Sequence, residues 1–476
     1  MNFMVYDLVL LGIFLVFTSV FLYLKRKNLK REKLLFLYKT RLGIKLINYV
    51  GKKYKKTLDV LGYISIALGF ILMGTMVYLF GRIVWMYIFQ AEIIRMVKVP
   101  PIMPLLPYLP QLFKLSFLPP FYFTYWIIII AVVAIFHEFA HGIFAVHKKI
   151  KVKSTGFGFF PFFLPIFLAA FVELDEKRMV KKKILPQMVV LSSGTFANVL
   201  TGILSFLVLF AFFSLVFAPS GTIFDTYTYS IVGISAITSV NNFALENPSY
   251  SSVLSLLNET GINEVKTGDL TYLATKSFLE QQGNSEKYVF LYDDAPAIKA
   301  QLENTIIKVN GISVKSREKM GEELLKYFPG SKITVTTISN EQEKVYEVIL
   351  GKNPNNETLP YLGVGFMNRE EGSVIYKIIG FFTSFKNPNI YYKPIFAAGE
   401  FIYDLLWWLV LICFSVALVN MLPVGIFDGG RFFYLAVLGI TKRESVAKKV
   451  FSFMTYLFLL LLAVIMIFWA INMFVK

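Results

Sequence analysis

The sequence predicts an α-helical polytopic membrane protein of about six transmembrane helices, with a re-entrant β-hairpin and an extracytoplasmic α+β domain. Three observations carry that expectation. Hydrophobic residues make up 56% of the chain and the mean hydropathy is +0.60, well above a soluble composition. Several uncharged runs approach the ~20 residues that a helix needs to cross a bilayer. Lysine and arginine crowd beside those runs, so the net charge of +17 reads as topology and not as a nucleic-acid surface.

Taken in order, the candidate spans lie at about 4–24, 57–92, 119–147, 184–217, 400–438 and 448–475. The first, "VYDLVLLGIFLVFTSVFLYL", lacks a basic n-region and a small-residue cleavage site, so it is expected as a retained span. Segment 25–56, with "KRKNLKREK", "GKKYKK" and one acid, Glu32, is expected to be a cytoplasmic loop. Alternating from there puts the basic segments 147–153, 176–183 and 441–449 on the same side and 218–399 outside the cell membrane. The outer stretch has mixed, nearly balanced charges and two N-x-T triplets, at Asn258 and Asn356. The proline-rich stretch 99–118 is expected as an outer loop or a partly embedded hairpin.

Residues 154–172 are apolar yet flanked on both sides by cytoplasmic charge, and Gly156, Gly158, Pro161 and Pro165 oppose a helix. A re-entrant extended hairpin fits, with a loop lying flat on the bilayer as the alternative. Non-helical backbone at membrane depth survives only where protein or a wet cavity covers it, so such a hairpin should line a site. The expected organisation is therefore 1–118 (two helices, basic loop and proline-rich loop), 119–217 (core, first part), 218–399 (outer domain), 400–440 (core, second part) and 441–476 (last helix).

The chain has three histidines, His137, His141 and His147, all within "AIFHEFAHGIFAVH" (134–147). Ionisable groups in a membrane span are costly and mark function. On a helix, His137 and His141 share a face one turn apart, and Glu138 lies about 100° around from His137, within reach of a water held between them. Two neutral imidazoles can hold Zn²⁺, and Glu138 can act as general base and then as proton donor. The single cysteine, Cys413, offers neither a disulfide framework nor a thiolate cage. Two candidates exist for a third ligand. His147 has metzincin spacing, but Phe144 stands where a helix-breaking glycine is needed, which leaves His147 roughly 80° away from His137. Asp428 in "VNMLPVGIFDGGRFF" (419–433) is the other, where Pro423, Gly425, Gly429 and Gly430 would break the fifth span and let the carboxylate turn inward.

These residues resemble the site-2 protease family of intramembrane zinc metalloproteases, of the archaeal and bacterial type. H-E-x-x-H at 137–141 is similar to its first motif, and "NMLPVGIFDGG" (420–430) resembles its N-x-x-P-x-x-x-x-D-G signature, which implies Asp428 as third zinc ligand. "SSGTFANVL" (192–200) is similar to the family's Gly-x-x-x-Asn helix, with Thr195 in place of the usual proline, and "GFGFFPFF" resembles its re-entrant hairpin. The resemblance implies one Zn²⁺ per chain and substrate-binding roles for Asn420, Pro423, Asn198, Gly156 and Gly158, with the hairpin offering an edge strand. "DDAPAIKAQLENTIIKVNGISV" (293–314), "YFPGSKITVTT" (327–337), "KVYEVIL" (344–350) and "YLGVGF" (361–366) resemble a PDZ domain, while 231–292 have no counterpart in it.

The function expected is hydrolysis of peptide bonds within or near the transmembrane segment of membrane-protein substrates, single-span ones, in a lipid bilayer. The alternative is a catalytically silent scaffold or transporter that uses the helix break for docking or permeation.

Overall fold

A computed structural model describes residues 3–474 apart from 33–34, 91–99, 101–102, 116–117, 160–167, 284–286, 340–341, 367–379 and 381–384. The chain divides into two compact units, one of residues 1–211 with 400–476 and one of residues 212–399.

Among the described residues, six helices are long and apolar enough to cross a membrane. They are α1 (Phe3–Leu24), α3 (Lys55–Phe89), α4 (Phe123–His147), α5 (Ile184–Val216), α6 (Gly399–Asn420) and α8 (Glu444–Phe474), with α2 (Ile44–Lys53) and α7 (Asp428–Thr441) between spans. The expected fifth span, 400–438, is thus two helices separated at 421–427. The core joins side chains of α3, α4, α5 and α7, among them Met73, Phe144, Leu191 and Phe432. Asp7 of α1 is buried and accepts the backbone N–H of Phe123 at 2.8 Å and of Thr124 at 2.9 Å. These are donors that the start of α4 leaves unsatisfied, and a carboxylate there also meets the positive end of the helix dipole.

The basic segment 25–56 differs from the expected loop. It forms β1 (Leu29–Glu32), β2 (Leu35–Thr40) and α2, and α2 packs on α4 with Ile47 fully buried. β3 (Val152–Phe159) and β4 (Leu168–Leu174) form the two strands expected of a hairpin, and β2 joins them, giving a four-stranded antiparallel sheet in the order β1-β2-β3-β4. Pro161 and Pro165 lie outside the described residues. Lys39 of β2 reaches across β3 to Glu173 of β4 at 2.7 Å and, with the Ser154 hydroxyl, holds that carboxyl below its ordinary pKa range.

In the second unit, β5 (Phe217–Ile223), β6 (Thr305–Val309), β7 (Lys332–Ser339), β8 (Gln342–Ile349) and β9 (Ile390–Pro394) make a sheet in the order β8-β7-β6-β5-β9, with Ile312–Ser313 paired onto β6. Alternating burial along β7 places Ile333 and Val335 in a core with Ile306 and Val309. The stretch 231–292, which has no counterpart in a PDZ domain, falls within residues 229–293, which contribute a second six-stranded sheet and a separate core around Val240, Val265 and Leu291.

Candidate metal centre

α4 is continuous through its histidines, so the i, i+4 spacing puts both imidazoles on one face. Each is only 9% exposed. His137 Nε2 and His141 Nε2 lie 3.0 Å apart, and Asp428 Oδ2 lies 3.3 Å from the first and 3.2 Å from the second. Four tetrahedral ligands at about 2.0–2.1 Å from a zinc ion would be about 3.3 Å from one another, so this triangle matches one face of such a shell. Two imidazoles and one carboxylate are also a donor set that catalytic zinc uses.

The surroundings fix that triangle. His141 Nδ1 lies 2.7 Å from the Val190 carbonyl, which can only accept, so the ring donates from Nδ1 and its Nε2 carries the lone pair that a metal needs. α5 comes against the rings at Gly194, where a Cβ would stand 2.4 Å from His141 Nε2 and 2.7 Å from His137 Nε2. Any side chain there would displace a ligand. Asp428 opens α7, and the loop before it lies so close that a Cβ on Gly429 would be 2.4 Å from the Met421 carbonyl carbon and one on Gly430 2.3 Å from the Val424 oxygen. These glycines let the chain fold tightly enough to bring Asp428 back to α4.

Glu138 accepts the backbone N–H of Val172, in β4, at 2.8 Å. Two cavities meet at the cluster. One, of about 290 Å³, is lined by His137, Glu138, Asp428 and Asn420 together with apolar groups such as Ile412 and with Leu105 of the proline-rich stretch. The other, of about 330 Å³, shares His137, Glu138 and Asp428 and adds His141, Glu176 and Arg431, the last two paired at 2.9 Å.

Other sequence-predicted residues sit differently. His147 is away from the triangle, paired with Asp59 at 2.7 Å beside Lys148. Asn420 lines the first cavity, while Pro423 is buried in the loop between α6 and α7. Asn198, expected at the substrate, is fully buried with Nδ2 3.0 Å from His137 Nδ1, because α5 turns that face toward α4. Gly156 and Gly158 are not on an edge strand. β3 is paired on both sides, to Lys39 and Leu37 of β2 and to Phe171 and Ala169 of β4, and β4 is the edge. The Val190 carbonyl and the Val172 N–H were beyond sequence reasoning, since every residue but proline carries both groups. Gly194 had a signal in the Gly-x-x-x-Asn pattern.

No curated protein matches the chain. The profile of peptidase family M50, whose proteases are zinc metalloproteases, matches residues 125–464. That span runs from the helix bearing both histidines, through Asn198 and Asp428, into the last helix, and it covers well over half of the sequence, so the chain belongs to peptidase family M50, the site-2 protease family of membrane metalloproteases.

Proposed function

We propose that this protein is a zinc endopeptidase that cleaves membrane-protein substrates, single-span ones, within or near their transmembrane segment, with His137, His141 and Asp428 holding one Zn²⁺ and Glu138 as general acid and base. The observation that carries this reading is the triangle of donor atoms at 3.0, 3.2 and 3.3 Å, set where two cavities meet and with Glu138 lining both. Bound there, zinc supplies an activated water and polarises the scissile carbonyl.

The side chains of the protein do the rest. Glu138 takes the proton of the attacking water and passes it to the departing amine. The cavity walled on one side by Ile130, Val133, Ile412 and Val416 suits a stretch of transmembrane substrate, and the cavity with the Glu176–Arg431 pair suits the arrival of water. A helical peptide bond hides its carbonyl, so the substrate must unwind locally, and its freed backbone groups need partners in a dry place. Asn420 serves as one such partner at the cavity wall. The open edge of β4 serves as another, by strand addition, in a hairpin that re-enters the membrane from the cytoplasmic side. The PDZ-like residues 293–366 filter or tether substrates on the outer side.

The test is Glu138→Gln. Purified wild-type and variant protein are incubated in detergent with a labelled single-span peptide and zinc, and the fragments are resolved by mass spectrometry. Cleavage by the wild type alone is expected. Equal cleavage by both, or none by the wild type with zinc bound, rejects the proposal in favour of a silent scaffold.

A further inference from the structure

His141 and His137 are held by different kinds of partner. The Val190 carbonyl beside His141 has one role, acceptance, so the tautomer of that ring is fixed by the backbone. His137 Nδ1 faces the carboxamide of Asn198 at 3.0 Å, and a carboxamide has a donating end and an accepting one. With its NH₂ toward the ring, Nδ1 accepts and the ring proton sits on Nε2, where it is aimed at His141 Nε2, 3.0 Å away, and Asp428 Oδ2, 3.3 Å away. With its oxygen toward the ring, Nδ1 carries the proton and the Nε2 lone pair points into the triangle. Only the second arrangement lets His137 bind a metal as a neutral imidazole.

A second observation singles out the same side chain. Asn198 is fully buried, and its Oδ1 has no hydrogen-bond partner among the described residues. The orphaned oxygen belongs to the end of the amide that coordination calls for. We infer that Asn198 is a positioning residue that selects the tautomer of His137: its amide turns over as zinc arrives, so that Oδ1 accepts from Nδ1–H and Nε2 is freed to coordinate. The proton moves from Nε2 to Nδ1 of the same ring, so the exchange is neutral. This inference rests on the reading of the triangle as zinc ligands.

The experiment uses the full chain in detergent with ¹⁵N-labelled histidine, and three histidines give few signals. Without zinc, His137 Nδ1 should show the shift of an unprotonated ring nitrogen; with one equivalent of zinc it should show that of a protonated one, while His141 Nδ1 stays protonated throughout. A protonated His137 Nδ1 in both conditions overturns the inference, and this arm needs no variant. Zinc affinity by chelator competition gives the second arm. Asn198→Leu, which fills the space with no acceptor, should weaken zinc binding by about 10–100-fold. Asn198→Asp, which can only accept, should restore it to wild-type strength or better. Equal affinity for wild type and the Leu variant overturns the inference alone, whereas a wild type that takes no zinc overturns it together with the function proposed above.

Discussion

α4 carries two of the three converging donors on an unbroken helix, whereas the third comes from the first residue of α7, across an interruption that separates it from α6. In α4 the geometry is local: one turn of helix spaces the imidazoles, and the side-chain identities at 137 and 141 are enough. In α6–α7 the geometry is tertiary. Asp428 arrives only because residues 421–427 fold back over the start of α7, with Gly429 and Gly430 against the loop backbone. The spacing of the first is set within one helix, with the bare Gly194 of α5 against its rings; the second depends on space beside its own backbone that no side chain occupies.

Substitutions can break or sharpen that contrast. The largest effect is expected from Asp428→Ala, which removes a donor outright: zinc content should fall toward zero and proteolysis to background, a loss larger than the roughly hundredfold typical of an outer partner. Metal analysis of the purified variant checks it, and undiminished zinc rejects the assignment. Next comes Gly430→Ala. Its methyl would meet backbone at 2.3 Å, which cannot swing aside, so a stability loss at or above ~1–3 kcal/mol is expected, read as a lower thermal midpoint together with weaker zinc binding. Val172→Pro then removes the N–H that holds Glu138, at an edge strand that accepts proline. Turnover should fall about tenfold, or ~1.4 kcal/mol, with zinc content unchanged. The smallest effect belongs to the unbroken helix. In Gly142→Ala the new methyl would stand 3.0 and 3.1 Å from Ile47 and 3.3 Å from Val172, methyl groups that need give way by only a few tenths of an ångström, and alanine gains helix propensity of about 1 kcal/mol, so stability should stay within ~1 kcal/mol of wild type. A Gly142→Ala loss as large as that of Gly430→Ala would remove the contrast.

What the sequence disclosed follows the same division. The six long helices were legible because hydrophobicity summed over ~20 residues is a strong signal that needs no partner. The approach of His137 to His141 was legible because it is a property of one helix. Asp428 was reached through the glycines and proline around it and through resemblance, as its neighbours in space lie far off in sequence. The pairing of β2 with β3 was not legible: β2 is six residues long, sits among lysines, and finds its partner more than a hundred residues away. Strand pairing at that separation leaves no local periodicity to read. Asn198 was placed at the substrate because its motif gives a residue type and no direction; burial against His137 comes from how α5 packs. The sheet within 229–293 was missed because several of its strands are only two to five residues long.

The sheet order β1-β2-β3-β4 bears on how small a working excised fragment can be. The family match begins at residue 125, yet the strand that covers the far side of β3 comes from residues 35–40. A fragment trimmed to the matched span would leave both flanks of the β3–β4 ribbon bare and remove the lysine that reaches Glu173. Such a ribbon is an invitation to self-association, so a working fragment must keep residues 29–40, and Asp7 as well, which holds the start of α4.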